Sequence, residues 1–257
     1  PTLALQPSLA FVIERAREDT VSTRFVAQVM HHPAELQATL AESLRQIDAM
    51  PALAELVSTL PSTAGIIGTE AAFSVWQQTA LARRRLTSAI ELYGFDGRLV
   101  SRFALNFPEY ASLNQHWQND ACEWGEVFGE AAPFGAEERR MLHAERAVCD
   151  DSNRPRGAIV VHVMLDYGAL PFLSTLSPYF ALFRRAQLPA APAEELPGTD
   201  VSLTVYGWGR TPIYTSTGRA WASPQEVFAR LHPSREPFWG PPRAAGRRAR
   251  LLFPNHR

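Results

Sequence analysis

Apolar positions recur at helical spacing through the first third of the chain. From Ser8 to about Met30 they place Val12, Ala16, Phe25 and Val29 on one face. Pro33 is expected to interrupt this helix, since proline removes a backbone donor and crowds the preceding turn. A second stripe then carries Leu36, Leu40, Leu44 and Ile47. Pro51 and Pro61 punctuate the next stretch, and the spacing predicts another helix over 70–85 with Phe73, Trp76 and Ala80 on one side. Its end carries Arg83, Arg84 and Arg85, cations that suit a helix C-terminus.

The period then changes from helical to alternating. TSAIELY (87–93) sets Ile90 and Leu92 on one face, GFDG (94–97) supplies turn chemistry, and RLVSRFAL (98–105) returns as a strand. Alternation along this return puts Arg98, Val100, Arg102 and Ala104 on one side, with Leu99, Ser101, Phe103 and Leu105 on the other. The Trp-bearing stretch from Pro108 to about Glu138 reads as a connection. HAERAVC (143–149) and GAIVVHVM (157–164) are two more strands, joined by the turn-like DDSNRPR. In the first, Ala144, Arg146 and Val148 oppose His143, Glu145, Ala147 and Cys149; in the second, His162 shares a side with Ala158, Val160 and Met164.

Beyond this point a short helix is expected from Tyr167 through LPFLSTL, with more helix at 179–185, and the Pro- and Ala-rich 188–198 reads as a linker. DVSLTVY (200–206) and PIYTS (212–216) form a further hairpin across GWGRT. Ser223, Pro224 and Glu226 mark a helix start. RARLLF (248–253) is a last strand with no neighbour legible, which suggests an incomplete second sheet.

A long N-terminal helix followed by two hairpin-and-helix units resembles the double PAS-like (double Cache) extracytoplasmic domains of bacterial membrane receptors. IELYGFDGRLVSRF and VSLTVYGWGRTPIYTS carry the resemblance, each a strand, a glycine turn and a returning strand. GAIVVHVMLDYGALPF is similar to the family's last distal strand, leading through Asp166 into a linking helix. The resemblance implies an α+β fold: a helical region over 1–86, a membrane-distal PAS-like unit over 87–186, and a membrane-proximal unit over 187–257. It further implies the sensing region of a sensor histidine kinase, with kinase activity in a missing cytoplasmic part. A small ligand would sit between the distal sheet and its overlying loops. WQNDACEW (117–124) departs from the amino-acid-binding pattern of some double Cache domains, because it lacks the adjacent Trp-Tyr pair. Two other readings stand beside this one: a ligand-free spacer with the same fold, and a soluble enzyme with an unrecognised site.

Composition narrows the picture in a few places. The net charge of −1 gives none of the basic excess of a general nucleic-acid binder. All 25 basic residues are Arg, as codon bias in a GC-rich genome would produce. No apolar run reaches the roughly 18–20 residues needed to cross a bilayer. The chain starts at Pro1 without an initiator Met, as expected for a segment cut from a longer, membrane-anchored protein. Cys122 and Cys149 are its two cysteines, enough for one bridge in an oxidising compartment such as the periplasm.

Candidate ligand contacts are Arg102, Arg146 and His162, polar groups on otherwise apolar strand faces, and Trp117 and Trp124 as pocket walls. Asp166 and Tyr167 stand at a strand-to-helix junction, where Asp166 would bind a ligand amine or cap a helix. Each has a structural alternative: an internal hydrogen bond for the polar groups, cover over the sheet for the tryptophans. No metal or other cofactor is expected, for His31 and His32 are adjacent and share no helical face, and HExxH and CxxC are lacking. GxSxG is lacking too, and GWG (207–209) does not continue into a dinucleotide fingerprint. The arginines 243, 247, 248 and 250 read as a solvated loop, or as a contact with lipid headgroups. The expected partners are an unidentified small molecule and, through the N-terminal helix, a second copy of the chain.

Overall fold

The computed structural model describes residues 2–51, 53–59, 67–107, 121–134, 137–170, 172–173, 201–206, 212–216, 225, 229, 238–240 and 250–252. Its N-terminal part is one uninterrupted helical rod: α1 (Thr2–Thr20), a π-helical turn (Val21–Phe25) and α2 (Val26–Asp48). The wide turn coincides with hydroxyls of Thr20, Ser22 and Thr23 donating back to the carbonyls of Ala16, Glu18 and Asp19. Such back-bonds compete with the α ladder and bend helices.

Pro33 lies inside α2 and does not interrupt it. The buried stripe Val29, His32, Leu36, Leu40, Leu44 and Ile47 runs past the proline on both sides. Packing of that stripe outweighs a local cost of about 3 kcal/mol. The expected inward face of the preceding segment is found only at its end. Leu9, Phe11, Val12 and Ile13 are exposed, Ala16 is exposed as well, and Phe25 is half-buried, stacked on Phe172 at 4.4 Å.

Three short helices follow: α3 (Leu53–Thr59), α4 (Glu70–Trp76) and α5 (Ala80–Arg83). The helix expected over 70–85 is thus broken at 77–79, where Thr79 turns to an extended backbone. The break is stabilised from α2, whose Gln46 and Ser43 side chains accept from the backbone N–H groups of Ala80 and Leu81. Those are orphan donors at a helix start, so α2 caps α5 in space rather than in sequence.

The sheet has five antiparallel strands: β1 (Ser88–Gly94), β2 (Leu99–Leu105), β3 (Gly125–Phe134), β4 (Glu137–Cys149) and β5 (Pro155–Met164). They lie in the order β2-β1-β5-β4-β3. The stretch read as a connection therefore contains β3 and the start of β4. GEVFGEAAPF has two glycines, a proline and no clean alternation, so its pairing with β4 supplies what local propensity does not.

One face of the sheet packs on the helices. Ile90, Leu92, Val100, Ala144, Val148, Ile159, Val161 and Val163 form a single core with Leu36, Leu40, Leu44, Ile47, Val57, Val75, Trp76 and Leu81. The expected alternation of β2 is corrected at its start. A bulge pairs Tyr93 with Leu99 and Leu92 with Ser101, so the bulged Val100 joins the helix-side core and Leu99 moves to the opposite face. From Ser101 onward the alternation is as read.

Gly68 bridges in parallel to Ser101, donating to Val100 O at 3.0 Å and accepting from Arg102 N at 2.8 Å, which covers the open edge of β2. Cys122 and Cys149 are disulfide-bonded, tying the approach to β3 to the end of β4. The expected helix at Tyr167 is a single 3-10 turn, Tyr167–Ala169.

The hairpin near the C-terminal end is β6 (Thr204–Tyr206) with β7 (Pro212–Thr215). The last strand, β9 (Arg250–Leu252), does have a neighbour, β8 (Phe238–Gly240); FWG is too short to announce itself as a strand. The linker at 188–198 and the helix at 179–185 lie outside the described residues, as does most of the helix expected from Ser223.

Gly157 sits where a β-carbon would collide with the carbonyl oxygen of Tyr93 and a methyl of Val57. Gly157→Ala is expected to destabilise the chain by about 1–3 kcal/mol through overpacking. A lowered urea midpoint with an unchanged slope checks this.

Candidate functional site: a buried polar network on the sheet face away from the helices

The face turned away from the helices carries a set of hydrogen-bonding side chains at its centre. Register pairs Glu91 of β1 with Arg102 of β2 and with Val160 of β5, and pairs His143 of β4 with His162 of β5. Opposed residues in an antiparallel ladder share a face, so alternation gathers Glu91, Tyr93, Arg102, His143, Glu145 and His162 on one side. Apolar groups frame them: Ala89, Phe107, Met141 and Met164 at one end, Ala158, Val160 and Leu99 at the other.

Glu91 is fully buried. It accepts the Tyr93 hydroxyl at 2.8 Å on Oε2 and Arg102 Nε at 3.1 Å on Oε1. His162 Nε2 stands 3.6 Å from Oε2 of the same carboxylate. Its Nδ1 lies 3.3 Å from Nδ1 of His143, whose Nε2 is 3.2 Å from Glu145 Oε2. Burial pushes the Tyr93 phenol well above its ordinary range, and the neighbouring Glu91 charge pushes the same way. Tyr93 is therefore a hydrogen-bond donor at any ordinary pH.

The candidate residues read from sequence fall in three places. Arg102 and His162 both belong to this network. Arg146 and Trp124 sit on the helix side, where both hold Asp48: Arg146 Nη2 at 2.9 Å and Trp124 Nε1 at 2.9 Å, each to Oδ1. The guanidinium also lies over the Trp124 ring, 5.1 Å from its centroid. This arrangement clasps the end of α2 to β4. Burial lowers the Arg146 pKa, against the pull of Asp48.

Asp166 caps the 3-10 turn by accepting from Gly168 N at 2.8 Å, the alternative weighed for it. Its carbonyl accepts from His32 Nε2 at 2.9 Å, and Tyr167 packs with Val29, Leu170, Leu173 and Tyr214. Trp117 lies outside the described residues. Glu91, Tyr93, His143 and Glu145 are not singled out by sequence. The signal available is the face opposite Ile90 and Leu92, where Glu91 lies between Ala89 and Tyr93.

No protein-family model matches the chain, and no curated protein matches it in sequence. Among solved structures it is similar to a domain of a Vibrio parahaemolyticus protein described as sensory box/GGDEF family, at 12% identity and a TM-score of 0.37. That match covers 61% of this chain and 63% of the other, so it spans less than two thirds of the Vibrio chain. It is also similar to the extracellular domain of a protein described as a histidine kinase, at 11% identity and a TM-score of 0.40, covering 77% of this chain and 85% of that one. The expected α+β class, with a long N-terminal helix followed by an antiparallel sheet, is what the structure has.

Two outcomes follow from this geometry. Glu91→Ala removes the buried counter-charge from the Arg102 guanidinium, whose side chain is 12% exposed. A loss of about 3–5 kcal/mol in chemical denaturation is expected, and a loss below about 1 kcal/mol would refute the pairing.

His32 supplies the second outcome. Burial holds its pKa below the ordinary value, outweighing the Asp166 carbonyl and nearby acids. The unfolded chain then takes the proton first as pH falls below about 6.5, so stability present at neutral pH is lost on acidification. His32→Gln keeps a donor for Asp166 and is expected to flatten the fall in urea midpoint between pH 7 and pH 5.

Proposed function

We propose that the chain is the ligand-sensing, extracytoplasmic region of a bacterial transmembrane signalling receptor of the sensor-histidine-kinase kind. The observation that carries this reading is the network of Glu91, Tyr93, Arg102, His143, Glu145 and His162, framed by apolar side chains on one sheet face. Small-molecule sites combine an apolar lining with a few placed polar groups, and that is the composition of this face. The helix side of the same sheet is mainly hydrocarbon and has a packing role.

Two further features support the reading. The Cys122–Cys149 bridge suits an oxidising compartment. The continuous rod from Thr2 to Asp48 is about 70 Å long at 1.5 Å per residue, and its C-terminal half shares one hydrophobic core with the sheet. A ligand favouring one arrangement of the sheet would bias the rod by its difference in affinity for the two arrangements. Under this reading the exposed Leu9, Phe11, Val12 and Ile13 contact a second copy of the chain. No helix among the described residues is long and apolar enough to cross a membrane.

A thermal-shift screen of the chain against amino acids, organic acids, amines, purines and divalent metals tests the proposal. One chemical class is expected to raise the midpoint, since ligand at 100 times Kd adds about 2.7 kcal/mol. His162→Gln should weaken that response, while Trp124→Phe, on the helix side, should leave it intact. A flat response to every class at millimolar concentration would overturn ligand sensing in favour of a spacer with the same fold.

A further inference from the structure

Just before β3 the chain leaves the edge of β4. Ala121 O accepts from Ala147 N at 2.8 Å and Gly125 pairs with Glu145, so Cys122, Glu123 and Trp124 loop out opposite Arg146. Such an excursion interrupts the ladder that places a strand, and its position depends on other ties. Cys122 is bonded covalently to Cys149, the last residue of β4. Trp124 is tied to Asp48, the last residue of α2, by its indole N–H at 2.9 Å. Arg146 lies over the Trp124 ring, pairs with the same carboxylate oxygen, and reaches Cys122 O at 3.5 Å.

Asp48 depends on these partners. The C-terminus of a helix carries partial negative charge, so a carboxylate on its last residue is unfavourable by itself. Arg146 supplies the opposite charge and Trp124 a directed donor. The connection from sulfur to helix therefore runs in three links. The bridge fixes the excursion, the excursion carries Trp124, and Trp124 with Arg146 holds the end of α2.

The bridge also stands where breaking it is a local event. It closes the open end of the β3–β4 hairpin, whose ladder runs from Gly125 opposite Glu145 to Phe134 opposite Glu137. That ladder does not depend on the sulfurs, and neither does the packing of Ala144 and Val148 in the helix-side core. Both cysteines are partly exposed, within reach of a soluble reductant.

We propose that the Cys122–Cys149 disulfide is a redox latch on the end of α2. Formed, it sets Trp124 against Asp48; reduced, it frees Trp124 and leaves Asp48 to Arg146. The input is a dithiol. One of its thiolates attacks a sulfur of the bridge, the S–S bond breaks, and the electron pair leaves on the other cysteine. The second thiol of the reductant then resolves the mixed disulfide. Two electrons and two protons pass to the chain, which ends with thiols at 122 and 149, and the dithiol ends as a disulfide. This goes beyond small-molecule sensing, because the latch lies on the helix side and needs nothing bound at the polar network.

Nitrogen–proton NMR of the tryptophan indoles in the whole chain, before and after dithiothreitol, tests the latch. Trp124 is assigned as the indole signal missing from Trp124→Phe, and complete reduction is confirmed by a mass gain of two hydrogens. On reduction the Trp124 indole proton should shift and exchange with solvent at least about tenfold faster, while the amide signals of β1 and β5 stay in place. Asp48→Ala in the oxidised chain should move the same indole signal. The double variant Cys122→Ser, Cys149→Ser should start in the reduced position and ignore dithiothreitol.

Three results would each overturn the latch. One is a fully reduced chain whose Trp124 signal is unmoved. Another is a bridge that dithiothreitol does not open in the folded chain. The third is loss of the β1 and β5 signals on reduction, which would make the bridge a support of the whole fold. No outcome depends on the ligand screen, so a flat screen and a failed latch are told apart.

Discussion

A carboxylate sealed from water at the middle of a sheet constrains everything around it. Glu91 occupies the central residue of β1 and has no exposed surface, so its charge is tolerable only where donors reach both oxygens. Arg102 and Tyr93 do so, and each imposes a condition on the backbone. Arg102 must stand directly opposite on β2, and Tyr93 must follow two residues on along β1. A slip of one residue would send Arg102 to the helix side, away from the carboxylate. The bulge at Val100 belongs to the same solution, because it lets the turn of GFDG close while the pairing from Ser101 onward keeps Arg102 across from Glu91.

Stability and specificity are therefore divided between the two faces. The helix side buries aliphatic side chains, each worth about 1.5–3 kcal/mol when fully withdrawn from water. The network side recovers through hydrogen bonds roughly what desolvation costs, as buried ion pairs generally do. An apolar replacement of the whole network would thus fold on hydrophobic grounds, yet β1 would lose the contact that distinguishes its register from neighbouring ones. The same division explains why the network residues other than Arg102 stand on the central strands β1, β5 and β4, where neighbours on both sides supply partners.

Local features are legible in the sequence, and assembled ones are not. β1, β2 and β5 can be read because apolar side chains alternate and Gly97, at φ 73°, marks the turn. The sides of Arg102, Arg146 and His162 follow from the same alternation. β3 is hidden because its glycines and proline carry no periodic signal, and Pro33 misleads because its helix is held by tertiary contacts on either side. Glu91 escapes notice for a physical reason: a Glu alternating with apolar residues also describes a half-buried strand facing solvent. Only the neighbours β2 and β5 reveal that it faces Arg102 and His162. Trp124 and Arg146 meet on Asp48, at the far end of a helix many residues earlier, a meeting that no local pattern encodes.

The two faces are nonetheless closely joined, and the join is made by backbone. Tyr93 gives its hydroxyl to Glu91 on one side of the sheet, while its carbonyl lies against Gly157 of β5. Gly157 in turn lies against Val57 of α3, with no room for a β-carbon among the three. Along β5 the residues flanking His162 are Val161 and Val163, both in the helix-side core. A change in the hydrogen bonding of Glu91 or His162 therefore reaches the helix layer through one residue of backbone. Close-packed interiors transmit such shifts. A sheet that holds a polar network on one side and helices on the other leaves one residue of backbone between the two, and α2 shares the hydrophobic core of the helix side.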